Sequence, residues 1–549
     1  MTRYVFVTGG VMSGIGKGIT TASIGRILQV RGFTVTVIKI DPYLNVDAGT
    51  MNPIMHGEVF VTEDGGELDM DLGTYERFLG INIPRYHNIT TGQVYLSVID
   101  RERRGDFLGK CVQIIPHITD EVKERIRSIG RSNEADVVVT EIGGTVGDIE
   151  GLPYLEAARQ MILEEGSNNV LSVHVTLVPV VDVVGEQKTK PTQHSVQELR
   201  RIGIQPNILV ARSHSALQPE PKRKIALFCN IPEKAVFALP DMKSIYEAPL
   251  ILDQQSMGEC LLDSLNLPKR NPEWAEWGKI VDSFVKPEHR LKIGMCGKYT
   301  ELADSYVSVN EALRHAAAFC NSGLEIDWIE TEAFENNTES TSLLSKYDGV
   351  LVPGGFGSRG TEGKIAAIKF SRENNLPYLG ICLGFQLAIV DFARSIGLKD
   401  ANSTEINPDT PNPVIDLMPE QKEIGYKGAT MRLGAHEVTI QDGTIASRLY
   451  GSSKIYERHR HRYEFNLEYF DQLTNAGAVF SGRSTDGRRM EIFELPDQYF
   501  HLASQFHAEF RSRPGRPSPA YYGFIKSCLD KRLGRPKPQL QTVPTISSK

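Results

Sequence analysis

The strongest constraint on what this chain can fold into is a rhythm. Short β-branched and apolar runs at residues 4 to 8, 34 to 40, 136 to 140, 171 to 180 and 207 to 211 alternate with longer stretches of helical periodicity. Such runs read as buried strands joined by crossover helices, so a doubly wound α/β fold with a parallel sheet is expected. Around Asn266-Leu267-Pro268-Lys269-Arg270-Asn271-Pro272 the sequence turns polar and proline-punctuated; it then carries Trp274 and Trp277 and reaches Pro287. The rhythm restarts at Leu291-Lys292-Ile293-Gly294-Met295-Cys296-Gly297, with apolar runs at 349 to 352, 378 to 382 and 502 to 506. At 549 residues the chain exceeds one core on a scale of roughly 150 residues per domain. Two doubly wound α/β domains, 1–265 and 291–533, are expected, with a linker at 266–290. From Gly534 the Arg535-Pro536-Lys537-Pro538 and Thr/Ser-rich end lacks apolar periodicity, so 534–549 reads as a disordered tail.

Composition excludes several classes. Lys and Arg total 61 against 68 Asp and Glu, so a formal charge of −7 gives no global reason to expect nucleic acid or an anionic membrane as partner. Any anion must be held by local basic loops. The seven cysteines, at 111, 229, 260, 296, 320, 382 and 528, form no C-x-x-C pair and no zinc spacing, which suits a reducing compartment. The apolar run after Met1 is too short for a signal peptide, and no stretch reaches about 18 apolar residues. A cytoplasmic protein is expected.

The first run leads into Gly9-Gly10-Val11-Met12-Ser13-Gly14-Ile15-Gly16-Lys17-Gly18, and Thr20 and Thr21 open a helical pattern through Ala22, Ile24, Ile27 and Leu28. Strand, glycine loop and helix in this order let backbone N–H groups approach phosphate oxygens, with Lys17 as cation for the outer phosphates. The spacing departs from G-x-x-x-x-G-K-[ST], since Gly10 lies one residue too far back and Gly18 follows the lysine, so a variant nucleotide loop is implied. The plainer alternative is a glycine-rich turn with an exposed lysine. Glu141 follows Val137-Val138-Val139-Thr140, just beyond the carboxyl end of a buried strand, which is a natural magnesium position. Asp71, in Glu67-Leu68-Asp69-Met70-Asp71, is ambiguous on spacing alone, because acidic loops are usually solvated.

Tyr378-Leu379-Gly380-Ile381-Cys382-Leu383-Gly384-Phe385-Gln386 sets a cysteine in a sharp turn between strand and helix, where the helix N-terminus favours thiolate. A lone buried cysteine is usually inert packing. Ser504-Gln505-Phe506-His507-Ala508-Glu509-Phe510 offers partners, because an extended backbone would point His507 and Glu509 the same way. Glu509 would fix the His507 tautomer, and His507 would take the Cys382 proton and later return it to leaving ammonia. The turn Val352-Pro353-Gly354-Gly355-Phe356-Gly357 offers N–H groups for an oxyanion.

Together these motifs resemble class I glutamine amidotransferases joined to a dethiobiotin-synthetase-like P-loop domain, in the order of the CTP synthase family, over about residues 1 to 533. The specific pieces are Lys39-Ile40-Asp41-Pro42-Tyr43-Leu44-Asn45, His56-Gly57-Glu58-Val59-Phe60-Val61, Glu141-Ile142-Gly143-Gly144-Thr145-Val146-Gly147-Asp148-Ile149-Glu150 and Gly185-Glu186-Gln187-Lys188-Thr189-Lys190-Pro191-Thr192-Gln193-His194-Ser195. The resemblance implies phosphorylation of the uracil O4 of UTP by ATP, attack of ammonia at C4, and release of CTP, ADP and phosphate. It implies that Gly14, Ile15, Gly16, Lys17, Gly18, Ile19, Asp71 and Asp241 bind ATP, and that Asp71 and Glu141 hold Mg2+. Ser13, Lys188, Thr189, Lys190, Pro191, Thr192, Gln193 and Lys224 then match UTP positions, and Asp148, Ile149 and Glu150 the overlapping site of inhibitory CTP. Gly355, Leu383, Gly384, Phe385, Gln386, Glu405 and Arg462 match glutamine-binding positions. His56 and Val59 resemble a constriction in an internal ammonia tunnel, though His56 alone could be a packed core histidine. Arg359 and Gly360 resemble a lid responding to the activator GTP. Homotetramers, and often filaments of them, are the family's habit.

Cobyrinic acid diamide synthase combines similar domains, but the segment Lys188 to Ser195 argues against it. A nucleotide-driven switch or filament protein would polymerise despite Cys382→Ala and Glu141→Ala, with little UTP-dependent ATP hydrolysis. Basic pairs such as Arg103-Arg104 and Arg200-Arg201 read as solvated faces. Two positions depart from the family pattern: Ala508 stands where proline is usual between His507 and Glu509, and Phe385 replaces the common methionine. Without the proline one backbone torsion beside the triad is free, so His507 is less pre-organised. Ala508→Pro is expected to raise glutamine-dependent turnover, and an unchanged steady-state rate would refute this strain argument.

Overall fold

The computed structural model describes residues 2–52, 56–181, 185–297, 303–336, 338–418 and 430–543. The chain forms two compact units, one of Met1–Ala48 and Asp71–Val281, the other of Gly49–Met70 and Asp282–Lys549.

In the first unit seven parallel strands, β1 (Arg3–Gly9), β2 (Val35–Asp41), β3 (Asn88–Thr90), β4 (Val137–Ile142), β5 (Val170–Leu177), β6 (Ile208–Arg212) and β7 (Val236–Leu239), lie in the order β7-β6-β5-β1-β4-β2-β3. The expected buried runs account for β1, β2, β4, β5 and β6, each within a few residues of its sequence bounds. β3 is only three residues long, below what periodicity can register. Helices α1 (Lys17–Gln29), α2 (Met70–Leu79) and α3 (Lys190–Arg201) carry residues of the candidate site. Register decides what meets at the carboxyl ends of the strands: Val7 of β1 and Lys39 of β2 both lie opposite Glu141 of β4.

The second unit is built on a nine-stranded sheet. Its strands are β8 (His289–Gly297), β9 (Ser322–Glu330), β10 (Gly349–Val352), β11 (Tyr378–Ile381), β12 (Arg432–Ile440), β13 (Lys454–His461), β14 (Val479–Ser484), β15 (Met490–Glu494) and β16 (His501–Ser504). Their order is β9-β8-β10-β11-β16-β15-β14-β12-β13; pairings from β9 to β16 are parallel and those from β16 to β13 antiparallel. Ile381 pairs with Ser504, so the chain leaves β11 and β16 side by side. Helix α4 (Leu383–Ser395) follows β11 and is buried along most of its length, which explains why its sequence is apolar nearly all round.

The units differ from the sequence boundaries in two places. A hairpin, Val59–Val61 paired with Glu67–Asp69, lies in the second unit although it was counted within 1–265. Its Phe60 is fully buried, with its ring 5.1 Å from that of Phe510. The expected linker contains helix Ala275–Val285, whose Trp277 is buried against Phe78 and Tyr246. Burying aromatic surface of this size contributes roughly 2–3 kcal/mol, which outweighs the polar text around it. The expected disordered tail is also corrected for 534–543: Leu540 is buried, Tyr499 donates from its hydroxyl to the Arg535 carbonyl at 2.9 Å, and Thr542 packs at Gly451. Residues 544–549 lie outside the described residues.

Helix α4 approaches β10 so closely that a Cβ on Gly384 would lie 2.2 Å from the Val352 carbonyl oxygen. Backbone cannot yield as a flexible side chain can. Gly384→Ala is therefore expected to cost about 1–3 kcal/mol, visible by calorimetry as a lower melting temperature for this unit. An unchanged melting temperature would contradict the close packing.

Candidate functional site

The first unit builds its centre where β1 gives way to α1. Gly14 and Gly16 take φ of 73° and 87°, the left-handed region that glycine enters without a Cβ clash, and Gly16 caps α1. Lys17 folds back over the loop and donates Nζ to the Gly144 carbonyl at 2.7 Å. Burial lowers its pKa against the pull of Glu141. A Cβ on Gly18 would lie 2.5 Å from Asp71 Oδ1, so the Asp71 carboxylate rests directly on the start of α1.

Beside it Lys39 is buried, with its ammonium bonded to Asp71, to Glu141 Oε1 at 2.9 Å, and 3.9 Å from Asp41 Oδ1. Tyr75 donates to Glu141 Oε2 at 2.5 Å, and Asn88 donates to Asp41 Oδ2 at 2.7 Å. Burial pushes the Asp41 carboxyl up to about 6 although Lys39 and Asn88 pull it down. Three carboxylates around one buried cation make a place where positive charge is held in low dielectric. Among the described residues, no group of three or more His, Cys, Asp or Glu is placed to hold a metal.

The expected nucleotide positions separate by exposure. Ser13, Asp148, Ile149, Glu150, Lys190 and Lys224 are exposed, and Lys188 pairs with Glu186 at 2.5 Å. Thr189, Thr192 and Gln193 are buried and engaged within the fold: Gln193 donates to Thr189 Oγ1 at 2.9 Å and Thr192 lies 3.1 Å from Thr176. Asp241 accepts from Arg212 at 2.7 Å and pairs with His214 at 2.6 Å. Arg212 in turn reaches Gly16, its Cδ 3.9 Å from where a Cβ would stand.

In the second unit Cys382 sits at the N-terminus of α4 with φ 50° and ψ −97°, a conformation that turns β11 into the helix within one residue. Its N–H donates to the Ser504 carbonyl at 2.7 Å, and the Tyr378 hydroxyl donates to the Gly384 carbonyl at 2.9 Å, which ties both sides of the turn. His507 Nδ1 lies 2.7 Å from Glu509 Oε1, and Tyr521 donates to Glu509 Oε2 at 3.4 Å. Burial alone would pull the His507 imidazolium down, but Glu509 and a hydrogen-bonded Cys382 outweigh it and hold the pKa at about 10. The extended backbone expected here is corrected: β16 ends at Ser504, and Ala508–Arg511 forms a 3-10 turn that brings Glu509 to His507 instead. Gly354 makes room for the pair, since a Cβ there would meet His507 Cε1 at 2.8 Å and Cys382 Cβ at 3.5 Å.

A family model described as CTP synthase N-terminus matches residues 3–267, and one described as glutamine amidotransferase class-I matches 301–527. The CTP synthase of Thermococcus gammatolerans is 55% identical over 536 residues, 97% of this chain and 100% of the relative. That of Pyrococcus furiosus is 56% identical over 532 residues, 96% of this chain and 98% of the relative. The chain belongs to the CTP synthase family.

A Cβ on Gly355 would stand 3.6 Å from Leu383 Cδ2, and Glu405 accepts the Gly357 N–H at 2.9 Å, so it steadies the glycine turn. Arg462 donates to Thr430 at 2.8 Å. Leu383 is buried, and Phe385 is fully buried in the apolar core, which leaves its backbone as the part that can face a ligand. Gln386 donates to the Tyr463 carbonyl at 3.0 Å and to Gln505 at 3.3 Å, and Gln505 reaches Cys382 Sγ at 3.6 Å. His56 lies 3.5 Å from Asp69, and Val59 is buried at the start of the hairpin. Arg359 pairs with Glu332 at 2.8 Å, and Gly360 caps the helix Thr361–Glu373 at φ 70°.

Lys39, Tyr75, Asp41 and Gln505 join the two candidate centres although the motifs alone do not mark them as site residues. Lys39 and Asp41 carried a usable signal, charges inside an otherwise apolar strand at 35 to 41. Gln505 and Tyr75 carried none, because only the packed structure brings them near.

The raised His507 pKa fixes a sign. A group held at about 10 when folded and about 6.5 when unfolded contributes stability that is fully present below pH 6.5 and lost as pH rises through 10. The melting temperature of the protein relative to Glu509→Gln is therefore expected to be higher at pH 6.5 and to converge above pH 10. A difference independent of pH would refute the charged pair.

Proposed function

We propose that the chain makes CTP from UTP with ATP, taking the nitrogen from glutamine, as the last step of de novo CTP synthesis. The observation that carries this reading is the presence, in one chain, of a glycine loop with converging Lys17, Lys39, Asp71 and Glu141, and of a strained Cys382 with a His507–Glu509 pair. The relatives named CTP synthase match along nearly the whole chain, which supports one combined activity.

At the glutaminase centre a proton shared toward His507 leaves Cys382 as the nucleophile that attacks the glutamine amide carbon. His507 returns the proton to departing ammonia, Glu509 holds the imidazolium, and N–H groups of the glycine turn ahead of Gly357 face the oxyanion. Leu383, Gly384, Gln386, Glu405 and Arg462 hold glutamine. Ammonia passes internally by His56 and Val59, which keeps it from protonation and loss to solvent.

At the other centre Gly14 to Ile19, Asp71 and Asp241 hold ATP, and Ser13, Lys188 to Gln193 and Lys224 hold UTP. ATP phosphorylates the uracil O4, ammonia attacks C4, and phosphate leaves with the former oxygen. Lys17 and Lys39 balance phosphate charge. Asp71 and Glu141 fit magnesium: both are hard oxygen donors that already converge on a cation, and Mg2+ commonly takes one or two carboxylates with the rest of its shell from phosphates and water. When bound, it would neutralise charge developing on the transferred phosphoryl group. CTP inhibits through Asp148, Ile149 and Glu150, which share the triphosphate region, and GTP activates through the lid at Arg359. Self-association is part of this reading, as the homotetramer that is the family's habit, and exposed Leu96, Ile99, Leu108 and Ile115 in the first unit offer apolar surface for it. A cytoplasmic location belongs to the same reading, since the scattered cysteines suit a reducing compartment; among the described residues no helix is long and apolar enough to cross a membrane.

CTP formation from UTP, ATP and magnesium, with glutamine or ammonia as donor, tests this. Cys382→Ala should lose glutamine-dependent formation by ~10³-fold or more while keeping the ammonia-dependent reaction, and Glu141→Gln should lose both. No CTP from either donor, with ATP still bound by the unmodified protein, would reject the assignment.

A further inference from the structure

The glutaminase pair is held against a sheet edge. β13 is the last strand of its sheet, paired on one side with β12, Arg458 opposite Ala435 and Arg460 opposite Leu433. On its free side the Arg458 carbonyl accepts the backbone N–H of His507 at 2.8 Å, and the Arg460 carbonyl lies 3.7 Å from Cys382 Sγ, which donates to it. Residues two apart on a strand direct their side chains to the same face. There the two arginines meet the 59–69 hairpin.

Arg458 is fully buried, donates Nε to Glu63 Oε1 at 3.0 Å and a terminal nitrogen to the Val61 carbonyl at 3.0 Å, and lies 5.3 Å from the Phe60 ring. Arg460 donates Nε to buried Glu67 at 2.8 Å, and its guanidinium lies 5.3 Å from the ring of Phe356, inside the glycine turn. The hairpin is itself fixed: the Ala435 N–H donates to the Glu63 carbonyl at 2.9 Å, and Gly434, at φ 83°, would carry a Cβ only 2.7 Å from the Gly65 nitrogen. A guanidinium taken out of water must stay with its carboxylate, and its planar fork fixes direction as well as distance. Where Glu63 and Glu67 stand therefore determines where the two carbonyls stand.

We propose that Arg458 and Arg460 are positioning residues for Cys382 and His507, and that Glu63 and Glu67 set their position, so that a hairpin preceding residue 71 is a working part of the glutaminase centre. The proposal rests on the Cys382–His507–Glu509 reading. It assigns to four charged residues a role that neither centre's substrate contacts require.

The full-length protein tests it, with Glu63→Gln, Glu67→Gln, Glu67→Asp, Arg460→Lys and Cys382→Ala compared. The readouts are kcat and KM for glutamine hydrolysis, ammonia-dependent CTP formation, melting temperature, and the pH profile of iodoacetamide alkylation, with Cys382→Ala subtracting the other thiols. Displaced reacting groups cost rate more than binding, so Glu67→Gln is expected to lower kcat about tenfold or more with KM within about threefold. Alkylation at neutral pH should slow in Glu67→Gln and Arg460→Lys, Glu67→Asp should recover part of the rate, and the ammonia-dependent reaction of the Glu variants should stay within about twofold. Unchanged kcat in both Glu→Gln variants would overturn the proposal. So would parallel loss of both activities with a lowered melting temperature, which is the mark of general support. If Cys382→Ala itself still hydrolyses glutamine, the triad reading fails and takes the proposal with it.

Discussion

Both centres depend on a strand that must become a helix within a few residues at the carboxyl edge of a parallel sheet. That turn forces positive φ, at Gly14 and Gly16 in one unit and at Cys382 in the other. Glycine takes it freely, whereas a cysteine held there costs about 1–3 kcal/mol, which the surroundings must offset. Around Cys382 the offset is visible: its N–H is bonded to Ser504, Tyr378 holds the next turn, and Gly384 lets the helix settle on β10. The same conformation that strains the backbone projects the sulfur out of the sheet and puts the helix N-terminus behind it.

Charge is then managed in pairs. Lys39 is buried with Asp71, Glu141 and Asp41 around it, and Arg458 with Glu63. None of these groups would be tolerated alone in low dielectric, because a charge stripped of water must be paired or neutralised. Asp41 shows the tension, with its carboxyl pushed toward neutrality by burial while a cation and an amide hold it back. Beneath the glycine loop His174 meets Thr8 at 2.8 Å and Ser195 at 2.8 Å, and burial holds it neutral by lowering its pKa to about 3. It bridges β1 and the α3 segment through hydrogen bonds rather than charge.

Much of the fold was legible because its signals are local. A buried strand needs apolar residues at consecutive positions, so five of the seven strands of the first sheet stood out, while three-residue β3 did not. The 3-10 turn at Ala508–Arg511 is hidden in the sequence, because a short turn after a strand leaves no periodic trace. The hairpin at 59–69 and the helix at 275–285 were assigned by proximity in sequence, but their apolar side chains found partners elsewhere: Phe60 at Phe510, and Trp277 at Phe78 and Tyr246. Hydrophobic burial is not directional, so composition shows that Trp277 will be covered without showing by what.

By itself the sequence determined the fold class, the glycine loop between β1 and α1, the cysteine elbow and the membership of the family, because each is written in contiguous residues whose backbone needs are specific. Tertiary structure alone decided that Lys39 would lie opposite Glu141, that Glu509 would reach His507 through a turn, and that Arg458 and Arg460 would join a distant hairpin to the strand beside Cys382 and His507. These are matters of register and long-range packing. A one-residue shift in a sheet would undo them while leaving every local pattern unchanged.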